Sequence, residues 1–325
     1  MRTSSKPGQF GARAAFRAAA LLLGCLALAA CAGTPVSDSL LQSGEGDIPR
    51  KAELSETPFF PQTEFYCGPA TLAAALNATG MQTSPDEVAG QVFTPGRKGT
   101  LQADVITATR RQGRLAVPVG GMADAFSEVA AGRPVLLLQN LGLEMAPRWH
   151  YALLIGYDLD AEVALLRSGT TRRLAMDIET LEHTWRRADF WGLAVTPPEG
   201  PVPETARPSA WLAEAAGLER AGNAAAAMTA YATATEAWPQ RSAPWLALAN
   251  LHYGKGDLGE AERALRQAVA ADRKDAASLN NLAHVLMERG KLAEAEATAE
   301  RAVALGGPAK NDAAKTLAEI RARRG

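Results

Sequence analysis

Apolar and polar positions divide the chain into stretches of different character. Ala18 to Ala30 is an apolar run of thirteen behind a basic start, too short to span a bilayer alone. From Ala32 to about Pro58 the chain is polar, rich in Ser, Gly, Asp and Glu, and without a period, as a tether would be. A mixed stretch follows. It predicts helices over Pro69 to about Ala78, from Ser84-Pro85-Asp86-Glu87 onward, and around Leu101 to Gln112. Strands are predicted at Val135–Gln139, His150–Tyr157, Glu162–Arg167 and Trp191–Val195, with a tight Asp158-Leu159-Asp160 turn between the second and third. Helices first and an antiparallel sheet afterwards is an α+β arrangement. The proline-dense Thr196–Pro203 forbids helix and marks a boundary. The expected divisions are 1–30 (export signal), 31–57 (flexible tether), 58–196 (α+β domain), 197–207 (Pro-rich linker) and 208–325 (repeats).

Beyond the linker the sequence repeats at thirty-four: Gly222, Gly256 and Gly290, and Ala227, Ala261 and Ala295. Trp211, Trp245 and Leu279 share one register position, and Ala215, Ala249 and Ala283 another. The pattern resembles the tetratricopeptide repeat, in which small residues let paired helices approach closely. Three units are implied, and with them an all-α array that docks a protein partner; an alanine-rich bundle with no binding role is the alternative. Glu214 stands where Leu248 and Leu282 stand in the next units, as in a degenerate capping repeat.

Composition changes the picture little. With 47% hydrophobic and 21% charged residues and a formal net charge of −1, the chain is ordinary globular protein with no electrostatic footprint for nucleic acid. The amino terminus changes it more. Arg2, Lys6, Arg13 and Arg17 precede the apolar run, which ends Leu28-Ala29-Ala30-Cys31 and resembles the lipobox of bacterial lipoproteins. That resemblance implies acylation of Cys31 and a lipid anchor, and Ala32, in place of an aspartate, favours the outer membrane on its periplasmic side. A plain signal peptide cleaved after Ala30 is the other reading. Since Cys25 leaves with the signal, Cys67 is then the one free thiol.

Cys67 directly precedes a predicted helix, in Phe65-Tyr66-Cys67-Gly68-Pro69-Ala70. A thiol there meets the positive end of the helix dipole and unpaired N–H groups, both of which favour thiolate. Gly68 leaves room for a substrate backbone, and Pro69 suits a first helical turn. Gln62, five residues earlier, is placed to join the Cys67 N–H as an oxyanion hole. His150 opens an apolar strand and is the expected base for a sole cysteine. His183, His252 and His284 are scattered, so no metal site is expected, and no Walker-type loop or other cofactor motif is present.

Together, Gln62, Cys67-Gly68-Pro69-Ala70 and His150-Tyr151-Ala152-Leu153-Leu154 resemble the bacteriocin-processing (double-glycine leader) cysteine peptidases, family thirty-nine of that class, and lipoprotein relatives that attach repeats behind such a domain. The resemblance spans about Thr57 to Val195 and implies a papain-like fold. It also implies that Cys67 attacks a scissile carbonyl, His150 moves the proton and Gln62 holds the oxyanion in a peptide or protein substrate. The sequence departs at the third member of the triad. The family carries an aspartate at the end of the strand after the histidine strand, where this chain reads Arg167-Ser168-Gly169. Ser168, Asp158 and Asn140 are the candidates to orient His150, and none supplies the expected charge from the expected place. Two functions therefore stay open: an active thiol hydrolase, and a peptidase-like domain that binds without cleaving while the repeats act as scaffold.

Overall fold

The computed structural model describes residues 34–42, 48–62, 65–94, 96 and 99–325. The signal segment and Cys31 lie outside them.

The stretch expected to be a flexible tether is in part folded. Helix α1 (Pro35–Gln42) buries Leu40, and Ser37 hydrogen-bonds through N–H and hydroxyl to the buried Glu182 carboxylate at 2.7 and 2.6 Å. Strand β1 (Lys51–Glu53) joins the sheet, so the domain begins ahead of residue 58. A polar sequence concealed both, because their anchors are distant side chains and a strand edge.

Helix α2 (Cys67–Ala78) starts two residues before the predicted Pro69, with Cys67 itself in the first turn. Its Ala- and Leu-rich body is buried from Gly68 to Leu76, which suits a central helix. Helix α3 (Pro85–Val92) begins where expected and opens on a capping box, Ser84 and Glu87 bonding reciprocally, with Pro85 in the first turn. A small hairpin, β2 (Phe93–Thr94) with β3 (Gly99–Thr100), leads into α4 (Gln102–Arg111). Next come β4 (Leu115–Pro118), α5 (Met122–Ala130), β5 (Val135–Asn140), β6 (Trp149–Asp158), β7 (Val163–Ser168), β8 (Thr171–Asp177), α6 (Ile178–Arg186) and β9 (Gly192–Thr196). Neither β4, only four residues long, nor the exposed, charged edge strand β8 carried a readable period.

The sheet is antiparallel in the order β4-β9-β5-β6-β7-β8, with β1 on β6. Side chains alternate between two covered faces. Leu136, Leu138, Tyr151, Leu153 and Ile155 meet α2, α3 and α4, while Leu137, Leu154, Ala164 and Leu166 meet α1, α5 and α6. Strand β6 pairs with β5 over Trp149–Leu154 and with β7 only from Leu153 onward. Its first four residues, Trp149 to Ala152, thus have no strand on the β7 side, and the start of α2 fills that gap.

The repeat helices form three antiparallel pairs: α7 (Pro208–Arg220) with α8 (Ala224–Ala237), α9 (Ser242–Gly254) with α10 (Leu258–Ala271), and α11 (Ala276–Glu288) with α12 (Leu292–Leu305). A last helix, α13 (Lys310–Arg324), closes the array. The recurrent Gly222, Gly256 and Gly290 occupy the turn inside each pair at φ of +86°, +80° and +75°, a conformation that explains the glycine at that spacing.

The array is not strung on a loose linker. Trp211, Ala215 and Leu218 of α7 share one buried cluster with Leu115 and Val117 of β4, and Val202 and Ala206 of the proline-rich stretch pack against it. Glu214 is buried there. Its carboxylate takes both arms of Arg110 at 3.0 and 2.5 Å and the backbone N–H of Ala116 at 3.2 Å. The departure from the repeat pattern is thus the junction between the domains.

Candidate active site

In an isolated strand the backbone N–H and C=O of Tyr151 would be left unpaired, since β7 has not yet joined β6 at that point. Helix α2 satisfies both from one face. The Tyr151 N–H faces the Cys67 sulfur, and the Thr71 hydroxyl, one turn on, donates to the Tyr151 carbonyl at 3.2 Å. This seats the cysteine against the residue that follows His150.

The imidazole of His150 is fixed from its far side, with Nε2 2.8 Å from the Ser168 Oγ at the end of β7. In the tautomer that donates Nε2–H to Ser168, Nδ1 carries the lone pair and is the nitrogen left to act as base. Gln62, 9% exposed, belongs to the same network. Its N–H donates to the Gly169 carbonyl at 3.0 Å, its Oε1 accepts the Gly169 N–H at 3.2 Å, and its Nε2 donates to Thr71 at 3.2 Å. Gln62 therefore clips the end of β7 to α2, beside both Ser168 and the helix start, and keeps one Nε2 hydrogen for another acceptor.

Electrostatics differ from the expected thiolate. Burial pushes the Cys67 thiol above its ordinary value, against the opposing pull of the N–H groups of Tyr151, Gly68 and Cys67 itself. Burial, with Arg148 nearby, lowers His150. Both shifts favour the uncharged forms, thiol and neutral imidazole, because the N–H groups do not offset desolvation at the sulfur. Gly68 serves packing rather than substrate access: a Cβ there would lie 2.4 Å from the Thr100 Oγ1.

Of the three candidates for orienting His150, the structure brings only Ser168 to the ring. Asp158 lies at the other end of β6, eight residues or roughly 27 Å away, bound to Lys51 at 2.6 Å. Asn140 pairs with Trp149, not His150. Its Oδ1 accepts the N–H groups of Gly142 and Arg148, both at 2.9 Å, so it braces the β5–β6 loop. Sequence reasoning missed Thr71 and the Tyr151 backbone. Among the described residues no group of His, Cys, Asp and Glu is placed to hold a metal ion.

A helix-seated cysteine beside a histidine strand in an α+β domain, with paired helices behind it, defines a cysteine-peptidase-like domain joined to a repeat array. Residues 54–190 match the model of the Peptidase_C39 like family, and residues 218–279 and 253–320 that of the tetratricopeptide repeat. A C39-like peptidase of Bacillus anthracis is similar at 18% identity over 45% of this chain and 97% of its own, with a TM-score of 0.38. The Yersinia enterocolitica type III secretion chaperone SycD, in complex with a peptide of the translocator YopD, is 18% identical over 35% of this chain and 92% of its own, TM-score 0.33. An O-GlcNAc transferase mutant of Thermobaculum terrenum is 28% identical over 35% of this chain and 22% of its own, TM-score 0.32. No curated protein matches the chain.

Proposed function

We propose that the protein is a thiol hydrolase acting on a peptide or protein, carried to its partner by the repeats and held at the cell envelope by a lipid on Cys31, most simply at the outer membrane facing the periplasm. The observation that carries the reading is the double anchoring of the pair, His150 by Ser168 and Cys67 by the backbone of the next residue, Tyr151. In the reaction His150 takes the thiol proton as the Cys67 sulfur bonds to the carbonyl carbon. The charge on the carbonyl oxygen falls to the Cys67 N–H and the spare Gln62 Nε2 hydrogen. The imidazolium then protonates the leaving amine, and water, deprotonated by the same ring, releases the acid and restores the thiol.

The test is the rate at which iodoacetamide alkylates Cys67, followed from pH 6 to 10 by mass spectrometry. A rate that rises through the alkaline range and drops about tenfold or more in His150→Ala supports the pairing. Equal rates in both proteins would remove it. A second reading, a non-cleaving scaffold, is favoured by the neutral Ser168 at the triad position. It predicts that Cys67→Ser is silent in cells, while substitutions in the hollow of the repeats lined by Asn250, Tyr253, Asn281 and His284 are not.

A further inference from the structure

The sheet ends beside His150 in a projection the hydrolytic chemistry does not require. Beyond the Asn140–Trp149 pair, β5 and β6 continue as a narrow ribbon, with the Leu141 N–H on the Arg148 carbonyl at 2.9 Å and a bridge between Leu143 and Ala146. The ribbon is braced from beneath. The buried Asn140 bonds three of its backbone groups, Arg187 donates twice to the Asn140 carbonyl, and a Cβ on Gly142 would come within 2.3 Å of the Ala146 carbonyl oxygen. Yet the side chains held out are apolar and in water: Leu141 is 39% exposed, Leu143 72%, Met145 98% and Trp149 56%. Isolated apolar residues on a surface need no explanation, but four on one buttressed ribbon do.

Position names the occupant. Leu138 and Tyr151 are directly paired on the face that carries α2, and strand alternation puts Trp149 on that same face, roughly 7 Å along β6 from the residue whose N–H meets the Cys67 sulfur. The ribbon thus continues β6 directly beyond the point where the sulfur meets it. Its charged residues, Glu144 and Arg148, cancel, so it offers no field to an anionic bilayer or to a charged peptide.

We propose that the 141–149 ribbon is the specificity wall of the candidate site, and that it selects polypeptide segments bearing large apolar side chains next to the attacked bond. This rests on Cys67 as nucleophile, so the test has one arm that needs no reactive thiol. In the first arm, two peptidyl chloromethyl ketones of equal length, one Leu/Phe-rich and one Asp/Ser-rich, compete for Cys67 in the mature chain. The apolar probe is expected to react roughly tenfold faster. That ratio should fall toward one in Trp149→Ala and in Leu143→Ser/Met145→Ser, and hold in Leu305→Ser, an exposed apolar residue at the far end of the array. In the second arm, Cys67→Ala protein binds the fluorescein-labelled Leu/Phe peptide in anisotropy titrations, and the ribbon variants weaken it roughly tenfold. A rate ratio and a peptide affinity both indifferent to the ribbon would overturn the proposal, as would ribbon-dependent sedimentation with phosphatidylglycerol vesicles in place of peptide binding. Ribbon-dependent binding to Cys67→Ala, with no His150-dependent alkylation in the native chain, would uphold the wall and overturn only the hydrolase.

Discussion

Ser168 decides the character of the site because it holds Nε2 of His150 without a charge. A carboxylate at that position would stabilise imidazolium, and imidazolium beside the sulfur would in turn stabilise thiolate. Burial does the opposite to both groups. With Cys67 held above its ordinary value, less thiolate is present at pH 7 than on an exposed cysteine, and reactivity climbs as pH rises; with His150 lowered, the ring stays neutral and available as base below the usual imidazole range. Ser168→Asp is therefore expected to raise the His150 pKa, lower that of Cys67 and increase alkylation at pH 6–7 about tenfold, moving the rise in rate toward acid. An unchanged pH profile in that variant would mean that the ring does not couple Ser168 to the sulfur. Much of this site was legible in the chain. Cys67, Gln62 and His150 announce themselves by residue type, and Ser168 by standing where an acid was expected. Thr71 and the Tyr151 backbone were not legible, since their role exists only because β7 leaves β6 before Tyr151, and register is a property of the sheet, not of either segment.

At the scale of elements, Glu214 shows how a broken pattern becomes readable once its neighbour is known. The repeat calls for leucine, and on repeat logic Glu214→Leu would improve the packing of α7. The junction reverses that expectation: the substitution strands the Arg110 guanidinium, whose side chain is 23% exposed, and leaves the Ala116 N–H without its acceptor. Breaking one side of such a buried pair costs about 3 kcal/mol, toward the low end for Arg110's partial exposure. The thermal midpoint should drop by several degrees. Arg110→Met in the same protein should recover much of the loss, because the arginine no longer needs a partner. A Glu214→Leu protein as stable as the parent would show that the array and the sheet are merely adjacent.

For the whole molecule, the proline-rich stretch suggested two independent bodies, and the linker expectation followed from composition alone. The buried cluster contradicts independence. Leu115 and Val117 of the sheet lie in one buried cluster with Trp211, Ala215 and Leu218 of the first repeat and with Val202 and Ala206 of the proline-rich stretch, all of them beyond Thr196. Each fully buried side chain of this size contributes about 1.5–3 kcal/mol. Losing the cover from Leu115 and Val117 alone then removes about 3–6 kcal/mol from a domain whose total is on the order of 5–15 kcal/mol. The exposed pair would also sit on β4, the edge of the sheet, where unpaired backbone invites association. A fragment ending at Thr196 is accordingly expected to be poorly soluble or to melt well below the full chain. One extended to Ala237, which keeps α7 and α8 on β4, is expected to retain the midpoint of the front domain. Thermal melts and sedimentation of the two fragments decide the matter: equal midpoints and equal solubility would mean that the first repeat contributes nothing to the domain it covers. If the longer fragment alone is stable, the boundary between the peptidase-like domain and the array lies after α8, and the front domain includes its first repeat.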